Sequence, residues 1–180
     1  MYNLLVITDT DRPSNSLVGD ISRTGLTFRL GDESVLYEID DNGPFPDIVL
    51  FDLKNGVRKQ LTEKVRYFAP SISPDGSKIA VIEFTVTREC FLVILDSSTG
   101  KVLDRFSSHE NASMFNPRWS EDGKKIVFAS HQLNGKSISI LNLTNGEVKK
   151  IKSESWEELF KPIFSNNYII YESSYSGIDN

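Results

Sequence analysis

Apolar residues in this chain fall in short runs, some alternating with polar residues and some continuous, set off by glycine, proline, serine and aspartate. That is the pattern of strands joined by tight turns. Pro117-Arg118-Trp119-Ser120 alternates at period two, as a half-buried strand does. The turns Ser73-Pro74-Asp75-Gly76 and Ser120-Glu121-Asp122-Gly123 place Asp before Gly, a pair that tolerates positive φ and closes a hairpin. Next come Ile79-Ala80-Val81-Ile82 and Ile126-Val127-Phe128-Ala129, β-branched and aromatic runs that predict central strands buried on both faces. A third strand is predicted at Ile48–Asp52, Phe91–Asp96 and Ile138–Asn142, each ending in Asp or Asn and reaching a glycine four residues later, at Gly56, Gly100 and Gly146. After each glycine, Val57–Leu61, Lys101–Phe106 and Glu147–Ile151 read as outer strands suited to an exposed edge.

The whole order repeats. PSISPDGSKIAVI, from Pro70, returns as PRWSEDGKKIVFA from Pro117 and, two residues shorter, as PIFSNNYIIYE from Pro162, starts that lie 47 and then 45 residues apart. The glycines that follow the third strands lie 44 and 46 residues apart, so a second landmark keeps the same period. Four antiparallel strands at such a period describe the blades of a β-propeller. The predicted fold is all-β, a single partial propeller segment over residues 1–180. Its predicted parts are an N-terminal remnant at 1–30, blades at 31–62, 68–106 and 115–151, and an incomplete blade at 162–180. In this reading Asp75, Gly76, Asp122, Gly123, Gly100 and Gly146 are structural turn residues, the aspartates accepting turn amides.

The string Pro-x-Ile/Trp-Ser-x-Asp-Gly-x-Lys-Ile-Ala/Val, with the later Asp-x-x-Thr/Asn-Gly turn, resembles the repeat of TolB-type and related WD-repeat-like propellers. The likeness is strong over Pro70–Gly100 and Pro117–Gly146. It is partial from Pro162, where Asn166-Asn167 replaces Asp-Gly, and weak before Ser34, where Leu30-Gly31-Asp32-Glu33 holds the turn position. The resemblance implies a bacterial, periplasmic or cell-surface protein that binds a protein or peptide. No export signal is expected in the sequence as written, so the periplasm is expected if a leader lies upstream and the cytoplasm if Met1 is the true start.

Composition narrows the partners. The net charge of −5 and pI near 5.1 argue against nucleic acid, which demands clustered Lys and Arg. No apolar stretch approaches the roughly 20 residues that span a bilayer, so no membrane insertion is expected. The single Cys90, within Cys90-Phe91-Leu92-Val93-Ile94-Leu95, reads as a small buried hydrophobe. Three blades and fragments do not close a ring, because closed propellers use about four to eight blades. An open ring would expose apolar blade faces, so the expectation is either a longer protein or a homo-oligomer completing a ring of about seven blades.

No candidate chemistry stands out. Gly135-Lys136-Ser137 lacks the upstream glycine of a phosphate loop and reads as a hairpin turn. No Gly-x-Ser-x-Gly elbow is present, and His109 and His131 are expected in inter-strand loops. Asp9-Thr10-Asp11 and Asp40-Asp41-Asn42-Gly43 read as turns, with no metal and no cofactor expected. The least repetitive segment is Ser153–Lys161, where Ser155 and Glu158 have capping-box spacing, and Trp156, Leu159 and Phe160 are expected along one side of a helical turn. Trp156 and Phe160 are candidate partner-binding residues, as is Phe45 in the rigid tip Pro44-Phe45-Pro46. The functional expectation is a non-catalytic binding module or scaffold. The alternative is an accessory propeller of a larger enzyme, such as a prolyl oligopeptidase-type peptidase or a propeller lyase.

Overall fold

Ile79 and Val81 of one central strand turn to one neighbour while Ala80 and Ile82 turn to the other, and all four are buried. A strand wedged between two apolar layers fixes the architecture of stacked sheets seen in the computed structural model. The structure describes residues 27–29, 35–40, 47–52, 56–108, 112–154 and 158–174. Sheet one is β1 (Thr27–Arg29), β2 (Val35–Asp40), β3 (Asp47–Asp52) and β4 (Val57–Gln60). Sheet two is β5 (Tyr67–Ile72), β6 (Lys78–Phe84), β7 (Cys90–Asp96) and β8 (Val102–Ser107). Sheet three is β9 (Ser113–Trp119), β10 (Lys125–Gln132), β11 (Gly135–Asn142) and β12 (Val148–Glu154). Sheet four pairs β13 (Glu158–Ser165) with β14 (Tyr168–Ser174). Every pairing is antiparallel between chain neighbours, so each sheet is an unbroken meander and the ring is not closed.

The inner strands β5, β9 and β13 lie side by side, so each sheet packs face to face on the next. Three apolar seams result. Ile48, Leu61, Tyr67, Val81 and Val93 fill the first, Ile82, Leu92, Met114, Trp119 and Phe128 the second, and Val127, Ala129, Ile138 and Leu159 the third. Each fully buried aliphatic side chain contributes about 1.5–3 kcal/mol. The outer strand β4 is exposed along its whole length, an edge that Arg58 and Lys59 keep from pairing with other chains.

Two turns recur. In the first, Asp75 Oδ1 accepts from the Ser77 amide at 3.0 Å and the Ser73 hydroxyl at 2.6 Å. Asp122 Oδ1 does the same with the Lys124 amide at 3.0 Å and the Ser120 hydroxyl at 2.6 Å. In the second, the amides of Gly100 and Gly146 donate to the carbonyls of Asp96 and Asn142 at 2.9 and 2.8 Å. Gly100 has φ +71°, and a Cβ there would stand 2.1 Å from the Leu61 carbonyl oxygen, so the turn of sheet two touches the chain leaving sheet one.

One helical expectation is overturned. Leu159 and Phe160 belong to strand β13, where successive side chains point to opposite faces, so they do not share one side of a helical turn. Leu159 is fully buried in the third seam, and that packing outweighs the local capping spacing. Among the described residues no helix is long and apolar enough to cross a membrane.

Candidate functional site

Strands β5, β9 and β13 carry the same irregularity. Phe68 pairs with Ile82 and Ser71 with Ala80, so Ala69 and Pro70 together oppose one residue; Phe115 and Arg118 on β9, and Phe160 and Ile163 on β13, bracket the same bulge. The first bulged residue is left-handed without being glycine: Ala69, Asn116 and Lys161 have φ of +50°, +49° and +45°. Such backbone costs about 1–2 kcal/mol per residue for an L-amino acid. The proline that follows has no amide to lose from the ladder, which is why it is tolerated in a bulge. A bulge re-aims the side chains around it.

What these bulges aim is a row of rings. Phe68 meets Phe84 at 5.7 Å between ring centroids, Phe84 meets Phe115 at 6.3 Å, Phe115 meets His131 at 4.7 Å and His131 meets Phe160 at 6.1 Å. Sheets two and three thus each supply a diagonal pair, an inner-strand Phe with a ring on the second strand; that second-strand ring reaches the next sheet's inner-strand Phe, and sheet four adds Phe160. Edge-on and tilted contacts of this kind add about 0.5–1.5 kcal/mol each beyond area burial. Phe68 ends the row 38% exposed, and Phe84, Phe115, His131 and Phe160 are half-buried.

His131 is the polar member. It lies on strand β10 and not in a loop, because β10 continues through Gln132 before turning. Its repeat counterpart is Phe84, 47 residues earlier. Nε2 of His131 is buried and has no hydrogen-bond partner among the described residues. Burial holds the imidazole below its ordinary pKa, and Lys136 adds repulsion in the same direction. Lys136 itself pairs with Glu158 across the third seam. Arg118, on the inner strand β9, is also desolvated and donates to the Pro117 carbonyl at 2.9 Å.

Of the candidate partner-binding residues, Phe160 closes the aromatic row, whereas Trp156 and Phe45 lie outside the described residues, as does His109. Phe68, Phe84, Phe115 and His131 were missed by sequence reasoning. The signal was available: Phe68, Phe115 and Phe160 each stand two residues before the repeated Pro70, Pro117 and Pro162. Gly135-Lys136-Ser137 starts β11 right after the β10 hairpin turn. Cys90 is buried, its thiol pushed up to about 11 mainly by burial, and its Sγ accepts from the Met114 amide at 3.2 Å across the second seam. Among the described residues no group of three or more His, Cys, Asp or Glu side chains is placed to hold a metal ion.

Solved proteins share the stacked-sheet architecture. TolB from Acinetobacter baumannii matches with a TM-score of 0.73 at 23% identity, over 97% of this chain and 44% of that one. Oligogalacturonate lyase from Vibrio parahaemolyticus matches at 0.65 and 16% identity, over 99% of this chain and 55% of that one. The β-propeller domain of the Trilobed protease from Pyrococcus furiosus matches at 0.52 and 17% identity, over 84% of this chain and 53% of that one. The chain therefore spans about half the length of each. No family model matches the sequence, and no curated protein matches it. Likeness at these identities carries the fold alone: the chain is a partial, unclosed β-propeller whose structural neighbours include TolB-type propellers.

Proposed function

We propose that this chain is a non-catalytic binding module whose inner rim docks a protein or peptide partner. The observation that carries the reading is the aromatic row from Phe68 to Phe160, held on three consecutive sheets by strained bulges. Strain of that kind concentrates at sites where a side chain must be presented in one orientation. Aromatic rings supply large contact area at little entropic cost, which suits a docking surface. The likeness to TolB favours a bacterial protein at the periplasm or cell surface, and the Pro-x-x-Ser-x-Asp-Gly repeat favours a WD-repeat-like propeller.

Selection of random peptides by display, followed by titration of the winners, tests this reading. Phe68→Ala combined with Phe115→Ser should weaken selected peptides by about tenfold or more while the circular dichroism stays all-β. Peptides that bind the double variant as well as the wild type would remove the rim from consideration.

A second reading is supported by the neighbours that are enzymes, the oligogalacturonate lyase and the protease propeller domain. Here the segment is an accessory propeller and catalysis lies on other parts of a larger protein. A homo-oligomer also has support, because Ile163 and Ile170 pair on sheet four and are exposed. A second copy would cover them, and a solution mass of one 20.3 kDa chain would exclude that arrangement.

A further inference from the structure

The seam between sheets three and four is built differently from its predecessor at the end where the Asp-bearing turns lie. Between sheets two and three, Trp119 Nε1 donates to the Ser71 carbonyl at 2.8 Å and the indole fills the groove, leaving a space of about 130 Å³. The residue that repeats Trp119 in sheet four is Phe164, which has no N–H to donate and a smaller ring. The next turn is also shorter by two residues, Asn166-Asn167 standing where sheet three has Glu121-Asp122-Gly123-Lys124. Both departures withdraw atoms from the same groove, whose volume of about 610 Å³ also extends over Ile140 and Ile169. That volume falls in the range of small-molecule sites, about 300–1,000 Å³.

The lining has a definite chemistry. Tyr168 stands 75% exposed at the groove and Phe164 also lines it, so each offers ring surface to a ligand. Glu121 and Asp122 bring carboxylates, Lys125 an ammonium and Asn167 an amide. In sheet two, Asp75 Oδ2 accepts from the Ser77 hydroxyl at 2.8 Å. Sheet three has Lys124 at that position, and among the described residues Asp122 accepts through Oδ1 alone. One acceptor oxygen is thus left for a ligand. The two carboxylates repel an anion, and acceptors and donors stand side by side along the lining. An uncharged ligand with one apolar face and a rim of groups that both donate and accept hydrogen bonds uses both kinds.

We infer that the groove between the third and fourth sheets binds a neutral saccharide, its C–H face stacked on Tyr168 and its hydroxyls bonded to Asp122, Glu121, Lys125 and Asn167. This site is separate from the aromatic rim and stands or falls independently of partner docking there.

Saturation-transfer NMR with maltotetraose, cellotetraose, mannotriose and triacetylchitotriose, each at about 10 mM so that a millimolar site is largely filled, tests it. At least one neutral sugar should bind saturably. Tyr168→Ala, at an exposed position that tolerates the change, should weaken it about tenfold or more, and Phe164→Trp, which restores the groove-filling ring, should do the same. Tetragalacturonate and tetralysine are the charged comparators. Failure of all four neutral sugars, preference for either charged oligomer, or binding indifferent to both substitutions would overturn the inference.

Discussion

The indole N–H of Trp119, on the inner strand of sheet three, donates to the main-chain carbonyl of Ser71, on the inner strand of sheet two, at 2.8 Å. The bond is buried and crosses 48 residues of sequence, so it ties consecutive repeats where their inner strands touch. Trp119→Phe keeps most of the apolar contact but leaves a buried carbonyl without its donor and a small void. We expect a loss of about 2 kcal/mol in urea unfolding. A loss below about 0.5 kcal/mol would mean the seam does not depend on this contact.

Gly56 and Gly100 hold the same place in successive sheets with φ of +67° and +71°, yet among the described residues only Gly100 is crowded, by the Leu61 carbonyl. Gly56→Ala should cost only the left-handed backbone penalty, about 1–2 kcal/mol. Gly100→Ala should cost clearly more, because the carbonyl of the preceding sheet's connection must move. Thermal unfolding of the two variants side by side checks the order, and equal losses would contradict the inter-sheet contact.

His131 sets a slope of stability with pH. In the unfolded chain it takes up a proton near its ordinary value of 6.5, whereas in the fold burial and Lys136 hold it neutral to lower pH. The unfolded state therefore binds more protons below 6.5, and stability falls as pH drops through that value. His131→Phe, copying Phe84, should remove this part of the slope. It should also gain about 1 kcal/mol at neutral pH by deleting an unpaired buried nitrogen. Unfolding midpoints between pH 7.5 and pH 5, taken as an approximate titration window around the histidine value, supply the check.

The turn carboxylates act at lower pH. Asp75 is held at about 2, first by the Ser73 hydroxyl and then by the Ser77 amide, and Asp96 at about 2, first by the Thr99 and Ser98 hydroxyls. Both are depressed from 3.8, so their contribution is complete above that value and is lost as pH falls from 3.8 to about 2. Asp96→Asn, which reproduces Asn142 of the next sheet, gives up that contribution, so it should lower the neutral-pH stability slightly and flatten the acid limb. An unchanged acid limb in that variant would show that the Asp96 turn does not contribute to it.

Much of the fold was legible because its signals are local. The Asp-Gly pairs at Asp75 and Asp122 and the glycines at 100 and 146 each demand a turn whatever surrounds them, and their common period implies stacked sheets. The bulges were not legible. Ala69, Asn116 and Lys161 precede prolines, where local rules favour extended backbone, yet all three are left-handed. The aromatic row depends on those bulges, so it escaped notice although its residues kept the period. At Leu159 and Phe160 the helical spacing was real, but a buried seam position outweighed it. His131 read as a loop residue because β10 extends three residues beyond its apolar run, from Ser130 to Gln132.

The most direct test of rim docking is an NMR shift map of a display-selected peptide on the isotopically labelled chain. The account predicts that the largest shifts fall on Phe68, Phe84, Phe115, His131 and Phe160, with small changes at the opposite turns. Shifts confined to the turns around Asp75, Asp96 and Asp122, with the aromatic rings unmoved, would contradict it.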